Sequence, residues 1–370
     1  MKNLSQAALQ LHERLKGKIE TKPKIKVDQK SLALLYTPGV AEVVLQINKE
    51  KEDVYKYTAK GNTIAIISDG SRVLGLGNQG AEAAIPVMEG KALIYKAFGN
   101  VNAIPLCLKT QDKEEIISIV ENLAPNFGAI NIEDIEAPKC FEIVDELTRR
   151  LDIPIFHDDQ QGTAVVAVAG LLNALKVVNK YLKTVKIVIF GAGAAGYGIT
   201  RLLVHAGATN IRVLDSKGII YQGRKDLNKY KEELASMTNK QKENGNLMDA
   251  LKNADVFIGV SGQTNVLTCK NVATMKERAI IFALSNPDAE MSIEEATQGC
   301  AAVVATGRSD FKNQVNNSVC FPFIMKKILE ERIKKIDQDL LLSVAKKIAA
   351  KVKHPTKDKI IPKVEEVKSL

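Results

Sequence analysis

Tryptophan is absent from this 370-residue chain, aromatic residues make up only 5% of it, and there are four histidines. So thin an aromatic inventory leaves little with which to stack bases, and no nucleic-acid motif accompanies the net charge of +9. The lysines concentrate at Lys16–Lys30, Lys217–Lys242 and Lys326–Lys363, alternating with acids and apolar residues as on solvated helix faces. Such a surface favours small anionic substrates, and no nucleic-acid partner is expected. No apolar run reaches the roughly 18 residues that span a bilayer, so no membrane partner is expected either. Residues 1–17 lack the apolar core and cleavage site of a secretory leader. They read as an amphipathic helix with Leu4, Ala8, Leu11 and Leu15 at helical spacing. The five cysteines (Cys107, Cys140, Cys269, Cys300 and Cys320) are scattered and form no Cys-x-x-Cys pair. That excludes a zinc-type cluster and suits free thiols in a reducing compartment, the cytoplasm.

What is present is a 45% hydrophobic chain long enough for two domains. From Thr63 it alternates short apolar runs with helical patterns, the mark of an α/β fold. In the first half Ile64–Ile67, Ala92–Tyr95, Ile104–Leu108 and Ala129–Ile132 read as strands, with helices at Glu114–Leu123 and Lys139–Leu151. After a long apolar helix at Thr163–Val178, five buried strands follow: Lys186–Phe190, Asn210–Leu214, Val256–Val260, Ile280–Ala283 and Val303–Ala305. Helices at Tyr197–Ala206, Leu247–Lys252 and Ile293–Thr297 fit between them, which describes a Rossmann-type, doubly wound parallel sheet. The expected units are 1–158, 159–316 and a helical end at 317–370. That end carries helices Phe323–Ile336 and Asp339–Val352, expected to return to the first unit.

Two glycine-rich segments compete for a dinucleotide. Gly191-Ala-Gly193-Ala194-Ala195-Gly196 follows a strand and opens a helix, and Asp215 closes the next strand about 20 residues on, as ribose binding requires. Gly75-Leu-Gly77-Asn-Gln-Gly80 has the same spacing but no acid closing a following strand, and reads as a structural turn. Asp215 favours NAD, while Lys217 two residues later could neutralise the 2′-phosphate of NADP; both cofactors stay open.

Glu133 and Asp134 end one expected strand, and Asp158 and Asp159 end the segment that begins at Ile153. Acids at strand carboxyl ends face the crevice of an α/β sheet. They could hold a hard divalent cation, magnesium or manganese, or simply cap helix starts. His157 reads as an orienting or core residue rather than a ligand.

Together with Tyr36-Thr-Pro-Gly-Val40, Asp69-Gly-Ser-Arg72, Met88-Glu-Gly-Lys91, Ser285-Asn286-Pro287 and Gln314-Val-Asn-Asn317, these motifs stand in the order of the malic enzymes, and most of the chain resembles their short form. The resemblance implies NAD(P)- and metal-dependent oxidative decarboxylation of malate to pyruvate, decarboxylation of oxaloacetate, and a homo-oligomer, a dimer first. It assigns Tyr36 as general acid, Lys91 as general base and Asp158 as the acid that orients it. Glu133, Asp134 and Asp159 match the metal ligands, Arg72 the grip on a substrate carboxylate, and Asn286 and Asn317 the lining of the nicotinamide and malate site. Residues 308–313 and Ser318-Val-Cys320 depart from the family pattern, which bears on substrate affinity and subunit contacts more than on the reaction. A malolactic enzyme would share every motif and release lactate. A malate- or nucleotide-sensing protein without activity would need a lost catalytic residue, and none is lost.

Overall fold

The computed structural model describes residues 2–285, 288–308, 311–367 and 369. Two parallel sheets carry the architecture. The first takes β1 (Thr63–Ser68), β2 (Asn102–Cys107), β3 (Ala129–Ile132) and β4 (Ile155–His157) in the order β2-β1-β3-β4. The second takes β5 (Lys186–Phe190), β6 (Asn210–Asp215), β7 (Gly218–Ile219), β8 (Val256–Gly259), β9 (Ile280–Ala283) and β10 (Val303–Thr306) in the order β10-β9-β8-β5-β6-β7. Only β7, a two-residue edge absent from the sequence reading, runs antiparallel.

β1, β3, β8 and β9 are buried at every residue, as strands covered on both faces by helices must be, and so lack polar alternation. In each sheet the chain leaves its first strand to one side and returns to the other. The switch points fall between β1 and β3 and between β5 and β8, where such sheets open a ligand crevice at their carboxyl ends.

One expected strand is a helix. Ala92–Tyr95 forms the end of Ala81–Ile94 and the turn after it, not a strand after Lys91. Pro86 and Gly90 look like breakers in the sequence, yet Ala84, Met88 and Ala92 form a buried stripe at four-residue spacing, and tertiary packing outweighs the local cost. The expected helix Phe323–Ile336 also differs. It runs Phe321–Glu330 and stops before Arg332, whose φ of 54° leaves the helical region. A further helix, Lys229–Met237, follows β7.

Thr163–Val177 joins the two sheets and is buried over most of its surface, packed against Ala194–His205 and Gln338–Ala350. Phe321–Glu330 instead packs on the Tyr95–Gly99 turn beside the first sheet. No helix among the described residues is long and apolar enough to cross a membrane.

Candidate active site

The carboxyl edges of both sheets face one cleft of about 1030 Å³. On its first wall β3 ends in Asn131, Glu133 and Asp134, and β4 runs directly into the turn Asp158–Gly162. Glu133, Asp134 and Asp159 present carboxylate oxygens within 4.8 Å of one another. Burial, then the neighbouring Asp159 carboxylate, pushes Asp134 up to about 7. Burial likewise raises Glu133 far above the carboxylate range, against the opposing charge of Lys91. One oxygen each of Asp134 and Asp158 is buried without a hydrogen-bond partner. An all-oxygen cage of crowded anions with an unsatisfied buried oxygen on Asp134 fits a magnesium- or manganese-type cation. His157 is wholly buried, takes a hydrogen bond on Nδ1 from the Gln160 N–H, and stands outside this group. Gly162 makes room for the cage: a Cβ there would stand 1.8 Å from an Asp158 oxygen.

Lys91 reaches into the cage from the Ala81–Ile94 helix. Its ammonium bonds Asp158 and lies 2.7 Å from Glu133, 4.4 Å over the Phe321 ring. Burial pulls its proton affinity down, but the charges of Asp158, Glu133 and Asp159 outweigh burial and hold the ammonium well above the ordinary lysine range. Asn317 donates to Asp158 at 3.1 Å and exchanges hydrogen bonds with Thr163. Tyr95, one helical turn beyond Lys91, donates to Asn131, which donates in turn to Glu133 at 2.9 Å. Arg72 stands exposed on the same wall.

On the opposite wall Gly191–Ala195 curls from β5 into Ala194–His205, whose free N–H groups point at the cleft. Gly191 (φ 122°) passes under Val260, and a Cβ on Gly196 would stand 1.8 Å from the Gly191 carbonyl, so neither position admits a side chain.

Two family models match in tandem: "Malic enzyme, N-terminal domain" over residues 16–148 and "Malic enzyme, NAD binding domain" over residues 160–370. The chain belongs to the malic enzyme family. Within it, the chain is 47% identical over 364 residues to the bifunctional malic/malolactic enzyme of Bacillus subtilis, covering 97% of this chain and 88% of that one. It is 48% identical over 351 residues to the NAD-dependent malic enzyme of Geobacillus stearothermophilus, covering 95% and 73%. The crystal structure of the NAD-dependent malic enzyme of Thermotoga maritima superposes with a TM-score of 0.93 at 49% identity, covering 96% and 95%.

Against the malic enzyme motifs, the structure gathers Arg72, Lys91, Glu133, Asp134, Asp158, Asp159, Gly191, Gly193, Ala194, Ala195, Asp215 and Asn317 around one cleft, with Gly196 packed just behind it. Asn286 lies outside the described residues. Tyr36 is not in the cleft: it is 70% exposed, at the end of helix Gln29–Leu35. Lys217 is not there either, and its ammonium pairs with Asp226 at 3.0 Å. Instead Arg224 grips both oxygens of Asp215 and Lys231 donates to it at 2.7 Å. Burial would raise Asp215, but hydrogen bonds from Arg224 and Lys231 outweigh it and bring it down to about 2. Neither partner was legible in the sequence, because a loop and a helix start return them to Asp215 from nine and sixteen residues away.

Glu290 was also missed. It is fully buried beneath Ser261 and Ser285, which follow β8 and β9 and line the cleft. Its carboxylate accepts from both backbone N–H groups, at 2.9 and 3.2 Å, and from both hydroxyls. Each buried donor left unpaired costs about 1–3 kcal/mol, so Glu290→Ala is expected to lower unfolding free energy by about 2–5 kcal/mol. Urea denaturation checks this, and an unchanged midpoint would refute it.

Proposed function

We propose that this protein oxidatively decarboxylates malate to pyruvate and carbon dioxide, reducing NAD or NADP. The observation that carries the reading is Lys91, held between Asp158 and Glu133 at the edge of a three-carboxylate cage that faces a dinucleotide-binding loop across one cleft. A magnesium or manganese ion held by Glu133, Asp134 and Asp159 would supply a Lewis acid for the substrate's oxygens and draw Glu133 away from Lys91. The nicotinamide ring of a dinucleotide on the Gly191 loop would accept the hydride.

The chain's own groups do the rest. Lys91, once neutral, takes the malate hydroxyl proton, and Asp158 fixes the amine's position. Asn317 holds Asp158 in turn. Arg72 offers a planar fork to a substrate carboxylate. A proton must also return to the carbon that loses carbon dioxide, and Tyr36, the residue matched to that task, stands outside the cleft of its own chain. Five cysteines without a disulfide fit residence in the cytoplasm.

The test is malate-dependent reduction of each dinucleotide, with and without manganese, with pyruvate and lactate assayed together. The bifunctional Bacillus subtilis relative makes lactate the second product to look for. Absence of any turnover with either cofactor would leave a binding protein instead.

For cofactor choice the reading falls on Lys231, which lines the cleft beside Asp215, and not on Lys217. Lys231→Ala is expected to raise the KM for NADP roughly tenfold, the worth of about 1.4 kcal/mol, and that for NAD much less. Lys217→Ala should change neither. Equal losses for both cofactors in Lys231→Ala would show that Lys231 only supports Asp215.

A further inference from the structure

Dinucleotides on sheets of this kind lie across the switch point, with one half over the strand ends on either side. The glycine loop after β5 stands at that point, and Asp215, ending β6, lies to one side. β8 and β9 lie to the other, and the residues that follow them, 260–263 and 284–285, line the cleft. These residues make one floor. Val260 donates to the Phe190 carbonyl at 2.8 Å, which joins the floor to the glycine loop, and Leu284 donates to the Gly259 carbonyl at 2.9 Å. At its far end the floor meets the opposite wall. Gly262 has a φ of 74°, and a Cβ there would stand 3.6 Å from Nη2 of Arg72. The floor therefore runs from the glycine loop to the guanidinium that faces the substrate.

Beyond the strand ends, residues 261–263 and 285 belong to no helix or strand. What holds them is the Glu290 carboxylate, which takes the N–H and the hydroxyl of both Ser261 and Ser285. Each hydroxyl oxygen accepts a further backbone N–H: Ser285 from Gly262 at 2.8 Å, and Ser261 from Gln263 at 3.0 Å. The N–H groups of residues 261, 262, 263 and 285 thus all depend on one carboxylate, directly or through one hydroxyl. A carboxylate stays buried only where hydrogen bonds replace its water, and here the floor supplies them. Glu290 is itself anchored, since its carbonyl accepts from Val266 at 2.8 Å and Leu267 at 3.2 Å. Gly259 leaves room for it: a Cβ there would stand 2.5 Å from the Glu290 carboxyl carbon. Glu290 is wholly buried and is not among the residues that line the cleft.

We propose that Glu290 is a positioning residue for hydride transfer, fixing from below the floor on which the nicotinamide ring lies. The inference rests on the malic enzyme reading above. Asp215, with Arg224 and Lys231, holds the adenosine half on the other side of the switch point and shares no hydrogen bond with this network. A disturbance at Glu290 is therefore confined to the ring. Displacing a reacting group by about 1 Å can cost about 10²-fold in rate. A loosened floor thus slows the chemistry while the rest of the dinucleotide stays bound.

Glu290→Gln tests this, because either setting of the amide turns its NH₂ toward a backbone N–H, that of Ser261 or that of Ser285. At saturating substrates its kcat for malate oxidation should fall about 10²-fold. By calorimetry it should bind ADP-ribose, which lacks the nicotinamide, as wild type does; the 2′-phosphate is added if NADP is the cofactor used. Emission from the bound reduced dinucleotide reports the ring directly, and in the variant it should move toward that of the free cofactor. If Glu290→Gln does not fold, Gly259→Ala displaces the same carboxylate without altering a cleft residue, and the same split is expected. ADP-ribose affinity falling together with kcat would show that Glu290 only maintains the fold. An unchanged kcat, or ring emission identical in variant and wild type, would overturn the positioning role. Failure of the malic enzyme reading looks different: wild type would reduce neither dinucleotide with malate while still binding ADP-ribose, and the proposal would fall with it.

Discussion

Asp159→Ala is expected to lower malate oxidation by about 10³-fold or more, and to abolish tight manganese binding. A cation that polarises a substrate oxygen is worth several kcal/mol, and each 1.4 kcal/mol is about tenfold in rate. Three observations single out Asp159. It completes the cage with Glu133 and Asp134 within 4.8 Å. Its Oδ2 accepts from the Asp134 N–H at 3.1 Å, which fixes its reach. Its charge is also a main reason, after burial, that Asp134 stands near 7. Removing Asp159 therefore relieves the anion crowding that a cation would otherwise relieve. Titration of manganese followed by electron spin resonance reads the site without reference to turnover. Full activity after exhaustive chelation, or unchanged manganese affinity in Asp159→Ala, would sink the assignment.

Lys91→Met should lower turnover by about 10²–10⁴, the usual worth of a positioned base. It should also have an effect on folding that a base alone would not. The Lys91 ammonium is the cation that bonds Asp158 and Glu133 in a pocket where both are nearly inaccessible. Without it, four neighbouring carboxylates are left facing one another, and buried uncompensated charge is costly. The metal-free variant should therefore melt below the metal-free wild type, and manganese should narrow the gap by replacing the lost positive charge. Equal melting temperatures without metal would show that Lys91 does not balance the cage.

What could be read beforehand follows distance along the chain. The Gly191–Gly196 loop, Asp215 and the parallel strands are written in contiguous residues, since a turn, a strand end and a buried apolar run are local properties. Glu133, Asp134 and Asp159 could be picked out because strand ends in such folds point into the crevice. The path of Lys91 into the cage was not legible. Pro86 and Gly90 disguised its helix, and only the packing of Met88 and Ala92 on the sheet reveals it. Glu290 had no signal at all: its value lies in two serines brought over it from 29 and 5 residues away. Lys231 and Arg224 were hidden for the same reason, and the nearer Lys217 drew attention only through adjacency. Tyr36 was visible as a motif, but its position at the exposed end of Gln29–Leu35, outside the cleft, was not.

The turn Asp158–Gly162 is held from two sides. It continues β4 of the first sheet, and its Gln160 carbonyl lies so close under Gly198 of the dinucleotide helix that a Cβ there would stand 2.2 Å away. Of the segments that cross between the two sheets, this one presents Asp158 and Asp159. A hinge at this turn and the carboxylates offered to a cation would be one piece of chain. Opening at this turn would then shift Asp158 and Asp159 relative to Glu133 and Asp134, and a cation bound among them would resist it. Because such linkage is reciprocal, whatever factor a bound cation adds to the affinity for dinucleotide, the dinucleotide must return to the cation.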